Sequence, residues 1–490
     1  MSDLELSGGD LTVAALTAIA DGATVRLSPA ALLRMGEARE VIDRAVRDKT
    51  PVYGVTTGLG PRAVEALPEA ELEAFALRTV RGRAHSAGAD LPERVCRAAL
   101  AVRCNTLLIG AAGAKPALAE ALAAMLNAGL APAMRGVGSI GAADLMWGGD
   151  FGNAVIGEGR MWRDGEVVPA AEALVDAGLA PYAPGPREGL ALVSHSSPSG
   201  ALAALAVAGA EGAYQALQKA AALSMEGFRA NLSILDPDLL ALRPQPGQTA
   251  AARGLAALLD GSALRSPGAA RRLQDPLSIR NIPQVHGALR AALDCACTAV
   301  EAEINGASDN PGVMIERGEV ASHGGYLTPH LAIALGALGQ AVTMATATEV
   351  QRIAKLTAAR FSGLENGLTD VGAAGAGLGP VMKTAEALWA EIAHEAAPAP
   401  IYPSSSADGL EDVAVSTGLA GNALLRLLAH MRRLIAIEMI VAAQAVEQRA
   451  LGDGLAPALR PIQTMVRDAS PTFREDRALG DEIEALAARL

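Results

Sequence analysis

Aromatic side chains are scarce in this chain: five Tyr, five Phe and three Trp make up 3% of 490 residues. Alternating runs of β-branched residues are few as well, so a sheet-built fold has little material to work with. Cysteine is limited to Cys96, Cys104, Cys295 and Cys297. None stands in a C-x-x-C pair and no two His sit at zinc-finger spacing, which argues against a disulfide scaffold and against a cysteine-based metal site; no metal is expected. Positive charge is also short, since 41 Lys and Arg against 53 Asp and Glu leave a net charge of −12. Nucleic acid and anionic membrane both ask for a basic face, so neither is an expected partner. The longest apolar runs, 200–210 and 331–347, stop short of the roughly 20 residues that a membrane span needs, and Gln340 and Thr343 interrupt the second. Residues 1–10 are polar and acidic, without the basic opening of a signal peptide. The expected location is the cytoplasm.

What is present is Ala, Leu and other apolar residues, 51% of the chain, with 19% charged. That balance excludes intrinsic disorder. The length allows two to four domains or one large helical unit. Residues 413–446 contain no Pro, and Leu424, Leu428, Met431, Ile435, Met439, Ala442 and Val446 step by four and three along one stripe. Leu427, Leu434, Ile437 and Val441 add a second apolar face. A helix apolar on two faces is predicted to lie inside a bundle. Segments 201–223 and 331–357 have the same character. The expected fold class is all-α, a long antiparallel helix bundle (201–490) preceded by a loop-rich N-terminal catalytic part (1–200).

Reactive side chains gather in loops at 53–60, 136–149, 194–200, 274–287, 305–311, 322–329 and 402–412, each rich in Gly, Pro or Ser. A rigid scaffold aims functional groups from such loops. Tyr53 heads the glycine-rich turn Tyr53-Gly54-Val55-Thr56-Thr57-Gly58-Leu59-Gly60. A phenol there can act as a general base if nearby cations lower its pKa from about 10; the plain alternative is a ring that packs and caps the loop. The seven histidines include no i, i+4 pair, and each taken alone is more often a hydrogen-bonded structural group than a ligand.

Several motifs in order carry a resemblance. Gly138-Ser139-Ile140-Gly141-Ala142-Ala143-Asp144-Leu145 follows the Tyr53 turn and Ala84-His85-Ser86-Ala87-Gly88. Glu188-Gly189-Leu190-Ala191-Leu192, Gln274-Asp275-Pro276-Leu277-Ser278-Ile279-Arg280, Asn305 through Pro311, Glu411-Asp412 and Pro471-Thr472-Phe473 come after it. With these segments the chain resembles the aromatic amino acid ammonia-lyase family, its histidine-specific members most closely, from about residue 10 to the end. One departure stands out. Members of that family build a methylidene-imidazolone electrophile from an internal Ala-Ser-Gly, whereas this chain reads Ala142-Ala143-Asp144 and has no Ala-Ser-Gly elsewhere. It has no Ser to dehydrate there and no Gly nitrogen to cyclise. Leu277 stands where the family has Tyr, Ser194-His195 where it has Asn-Gly, and Tyr326 where it often has Phe.

The resemblance therefore implies a carbon–nitrogen lyase of a ring-less branch, with no prosthetic group, working as a homotetramer whose active sites are shared between subunits. Without the ring, an ordinary amine is a poor leaving group. A quaternary ammonium departs unaided as a neutral tertiary amine, so the implied substrate is a betaine, ergothioneine. A different histidine-like or aromatic betaine, or a silent homologue that only binds, are the rival readings. By the same resemblance Tyr53 takes the β-proton, Arg280 grips the carboxylate through a two-pronged hydrogen bond, and Glu411 accepts a ring N–H. Lys383 either is buried and stabilises transition-state charge or snorkels to solvent. His85, Ser194, His195, Gln274, Asn310, Tyr326 and Tyr402 complete the implied substrate contacts. Tyr326, Tyr402 and Trp147 are the candidate faces for the trimethylammonium.

Overall fold

The computed structural model describes residues 3–490. Helix makes up 60% of the chain and strand little, which agrees with the Ala- and Leu-rich composition. The chain forms two compact units. The first comprises Met1–Ala208, Cys297–Leu335 and Ala399–Asn422; the second comprises Gly209–Ala296, Gly336–Pro398 and Ala423–Leu490. This division is discontinuous, whereas the sequence pointed to a single cut at residue 200. The reason is that four long helices, Ser197–Phe228, Ile282–Ile304, Pro329–Thr357 and Thr417–Gln448, each contribute residues to both units.

Both predicted apolar faces of the Thr417–Gln448 helix are buried, from Leu424 through Met431 and Ile435 to Val446, and on the other side Leu427, Leu434, Ile437 and Val441. The run-length argument against a membrane-spanning helix needs correcting. Pro329–Thr357 and the stretch Glu188–Phe228 are long and apolar enough, by length and composition, to cross a membrane; the most apolar window of the second is wholly buried and that of the first is half buried. The helix around 331–347 continues past its polar residues because they find partners. Gln340 donates to the Ala396 carbonyl at 2.7 Å and Thr343 to the Gly339 carbonyl at 3.0 Å. In the second unit the bundle buries a bidentate pair, Arg352 to Glu438 at 2.6 and 2.8 Å, with the Ser224 hydroxyl donating to Glu438 at 2.7 Å. Glu349 lies fully buried beside it. Burial and the neighbouring Glu438 hold its carboxyl well above the usual carboxylate range.

The first unit carries the small sheets: Leu4–Leu6 with Val25–Leu27, Ala87–Asp90 with Arg135–Val137, Ala131–Pro132 with Arg160–Arg163 and Glu166–Pro169, Gly312–Met314 with Glu319–Ala321, and Tyr402–Ser405 with Glu411–Ala414. Its central helix, Glu93–Leu107, is buried at every position from Val95 to Leu107. Two arginines lie within that buried stretch, Arg97 and Arg103, and both find partners. Arg97 donates to the carbonyls of Leu126 and Ile19, each at 3.3 Å. Arg103 forms a two-pronged bond with Asp309 at 2.7 and 3.0 Å, with 0% and 1% of the two side chains exposed. A buried ion pair leans on further hydrogen bonds, and here Arg103 donates as well to the Ala191 carbonyl at 2.5 Å, leaving its Nε without a partner among the described residues.

Candidate active site

Close backbone approach builds the site. The Leu145–Val155 helix carries Gly148, Gly149 and Gly152. A Cβ at 148 would fall 2.1 Å from the Val193 carbonyl oxygen, and one at 149 would fall 2.0 Å from that of Arg83. Glycine costs helix stability, but here it is the residue that lets the helix lie directly on two other backbones. One is the Glu188–Val193 helix that leads into Ser194. The other is the turn that follows the Leu72–Arg81 helix and holds Arg83. Gly189 does the same on the far side, where a Cβ would meet the Ala76 carbonyl at 2.2 Å.

The turn 141–144 enters the Leu145–Val155 helix through left-handed backbone, with φ of 77° at Gly141, 58° at Ala143 and 42° at Asp144. Asp tolerates that region through local hydrogen bonds, while Ala costs about 1–2 kcal/mol there. The surroundings hold the turn in place. Ala143 N–H donates to the Tyr326 carbonyl at 3.1 Å, and His195 N–H donates to the Ala143 carbonyl at 3.0 Å. Asp144 is 1% exposed and accepts from the Ser199 N–H and hydroxyl, both at 2.8 Å, and from the Ser139 hydroxyl. Burial pushes its carboxyl above the usual range, against the pull of those serines.

A cavity of about 350 Å³ opens on this turn, lined by Ala142, Ala143, Leu59, Leu190, Ser194, Asn310, Tyr326, Tyr53, Arg83 and Glu411 among others, all from the first unit. That volume suits a small ligand. The Tyr53 phenol oxygen accepts from the Gly60 N–H at 3.0 Å. Arg83 donates to the Thr79 carbonyl at 3.1 Å. Burial draws its guanidinium down from the ordinary range, and nearby Tyr53 and Glu411 counteract it. Glu411 opens the Glu411–Ala414 strand; burial raises its carboxyl and Arg83 opposes the rise. Asn310 is placed by its neighbours. His323 N–H donates to its Oδ1 at 2.9 Å, Arg187 donates to the Pro311 carbonyl at 2.7 Å, and Asp309 is locked to Arg103.

Ser196, two residues past Ser194, meets a half-buried carboxyl. Glu303 accepts from the Ser196 hydroxyl, and burial, aided by Asp144, pushes it up to about 7. In the unfolded chain an ordinary glutamate titrates near 4.3. Between those values the folded state keeps a proton that the unfolded state has lost, so stability falls as pH rises through this window. We expect a loss of about 3 kcal/mol between pH 4.5 and 7, measured as a shift of the urea midpoint, and a flatter profile in Glu303→Gln. An unchanged profile in that variant would remove Glu303 as the cause.

Of the residues expected from sequence, Tyr53, Ser194, Asn310, Tyr326 and Glu411 line this one cavity. Others are corrected. His195 is fully buried, with Nε2 3.1 Å from the Leu192 carbonyl and its ring edge-on to Phe151 at 5.2 Å. Burial brings its pKa down to about 3, so it is a neutral structural imidazole, and its backbone N–H braces Ala143. Trp147 is 2% exposed and donates to the Arg135 carbonyl at 2.6 Å, away from the cavity. Tyr402, on the strand paired with Glu411–Ala414, is exposed and does not line it. His85 is exposed and off the cavity wall, while Arg83, two residues before it, lines the wall instead. Gln274, Arg280 and Lys383 belong to the second unit. Gln274 and Lys383 are exposed and Arg280 is half-buried, so Lys383 is not the buried lysine that one reading called for. Arg83 is the residue that sequence reasoning passed over; its only signal was its place two positions before His85.

The description aromatic amino acid lyase belongs to the family model that matches residues 11–468. The histidine ammonia-lyase of Symbiobacterium thermophilum is 35% identical, over 99% of this chain and 96% of its own. Among solved structures, the ergothionase of Treponema denticola, crystallised in complex with desmethyl-ergothioneine sulfonic acid, superposes with a TM-score of 0.94 at 27% identity, over 99% of this chain and 98% of that one. The histidine ammonia-lyase of Trypanosoma cruzi gives 0.92 at 29% identity, over 100% and 93%.

Proposed function

Because the chain belongs to the aromatic amino acid lyase family, and is on that ground a carbon–nitrogen lyase, we propose that it eliminates trimethylamine from ergothioneine to give thiolurocanate, without a methylidene-imidazolone. The observation that carries this reading is the turn at 142–144. Ring formation needs a serine hydroxyl to leave and an unhindered glycine nitrogen to close. This turn offers two alanine methyls and a buried Asp144 whose oxygens are bound to Ser199 and Ser139. The residues do not fit the group. The likeness in fold to an ergothionase supports the same substrate; the curated relatives named histidine ammonia-lyase support the histidine-like skeleton.

The steps then follow from the cavity. Tyr53 takes the β-proton at its phenol oxygen. The freed electron pair forms the Cα–Cβ double bond, and the C–N bond breaks with its pair staying on nitrogen, so that neutral trimethylamine departs. Glu411 accepts a ring N–H of the imidazole. The rings of Tyr53 and Tyr326 line the cavity and offer faces to the cation; Ala142 and Ala143 leave room beside them. In a homotetramer with shared sites, neighbouring copies contribute Arg280 for the carboxylate, with Gln274 and Lys383. No metal or cofactor takes part in this scheme.

Purified protein mixed with ergothioneine should release trimethylamine and a conjugated product that absorbs in the ultraviolet. Histidine and phenylalanine should yield no ammonia, and the intact mass should match the unmodified chain. Brisk ammonia release from histidine, or a mass lowered by dehydration at 142–144, would overturn the proposal.

A further inference from the structure

Arg83 and Glu411 are the charged side chains on the wall of the cavity. Arg83 is half-buried, and among the described residues its hydrogen bonding is confined to the Thr79 carbonyl. A guanidinium has five N–H donors in a fixed fork, so on this cavity wall most of them are free to meet a ligand. The cavity is thus built to receive an acceptor or an anion beside Glu411. If Glu411 takes a ring N–H, as in the function proposed above, the ring's C2 substituent must lie next to it, because C2 is flanked by both ring nitrogens. In a plain imidazole that position is a C–H, which gives Arg83 nothing. In a 2-thioimidazole it is a polarised sulfur.

We propose that Arg83 is a specificity-determining residue that takes the sulfur of a 2-thioimidazole ring and holds the negative charge that spreads there as the β-proton is removed. This rests on the function proposed above. Proton and leaving group follow the same path as before: the proton goes to Tyr53 and the electron pair leaves with the tertiary amine. Arg83 changes no bond. It lowers the energy of the electron-rich ring during the elimination, the part a missing electrophile would otherwise play.

The test compares wild type, Arg83→Gln and Arg83→Lys on two betaines, ergothioneine and the trimethylated betaine of histidine, which lacks the sulfur. Trimethylamine release is the readout. Arg83→Gln should lose about 30- to 100-fold in kcat/KM on ergothioneine and less than about threefold on the sulfur-free betaine, and Arg83→Lys should recover part of the loss. Calorimetric binding of 2-mercaptoimidazole against imidazole gives an arm independent of turnover: wild type should prefer the thio compound and Arg83→Gln should not. Equal losses on both betaines, or a thio preference that survives in Arg83→Gln, would overturn the assignment. If wild type released no trimethylamine from either betaine, the proposed function would fall, and the binding preference alone would decide the role of Arg83.

Discussion

Tyr53→Phe is expected to lower turnover of the proposed betaine substrate by about 10²- to 10⁴-fold, the range that a positioned general base contributes. The phenol oxygen is the one atom removed. It lines the cavity and accepts from the Gly60 N–H at 3.0 Å, so the variant keeps the ring that packs the loop and loses the proposed base. Gly60 N–H faces the same cavity, where water can satisfy it, so the melting transition should move little. Trimethylamine release under saturating substrate, read beside a circular-dichroism melt, checks both halves. Normal rates in Tyr53→Phe would mean that the base lies elsewhere.

The second large effect is on stability. Arg103 and Asp309 are both essentially unexposed and share two hydrogen bonds. Removing one partner leaves the other charge in a dry interior, which costs about 3–5 kcal/mol. Arg103→Met is therefore expected to shift the urea midpoint by that amount. The cost falls on the site as well, because Asp309 precedes Asn310 on the cavity wall and Arg103 also ties down the Ala191 carbonyl two residues before Val193. The double variant Arg103→Met with Asp309→Leu should recover most of the stability, since paired apolar replacements of a buried ion pair are often neutral. It should not recover the activity, because the Asn310 loop would lose its anchor. A destabilisation below about 1 kcal/mol in the single variant would place this pair with exposed ion pairs.

Local chemistry was legible in the sequence. The apolar stripes at 424–446 forecast a helix buried on two faces, and Thr417–Gln448 is one; periodicity survives whatever surrounds it. The missing Ser and Gly at 142–144 is likewise a property of three consecutive residues. The order of the loop motifs was enough to bring Tyr53, Ser194, Asn310, Tyr326 and Glu411 under suspicion, and all five meet at one cavity.

Which way a loop side chain turns was beyond its reach. Arg83 and His85 are two residues apart on one irregular segment, yet Arg83 lines the cavity and His85 does not. His195 is likewise enclosed in the core against Phe151, and Trp147 packs over Gly138 with its indole N–H on the Arg135 carbonyl. The unit boundaries behave likewise, since helices that begin in one unit and end in the other have no mark in composition. Residue type and period are written along the chain, whereas the facing of a side chain is settled by atoms far away in sequence, and only the folded molecule brings those together.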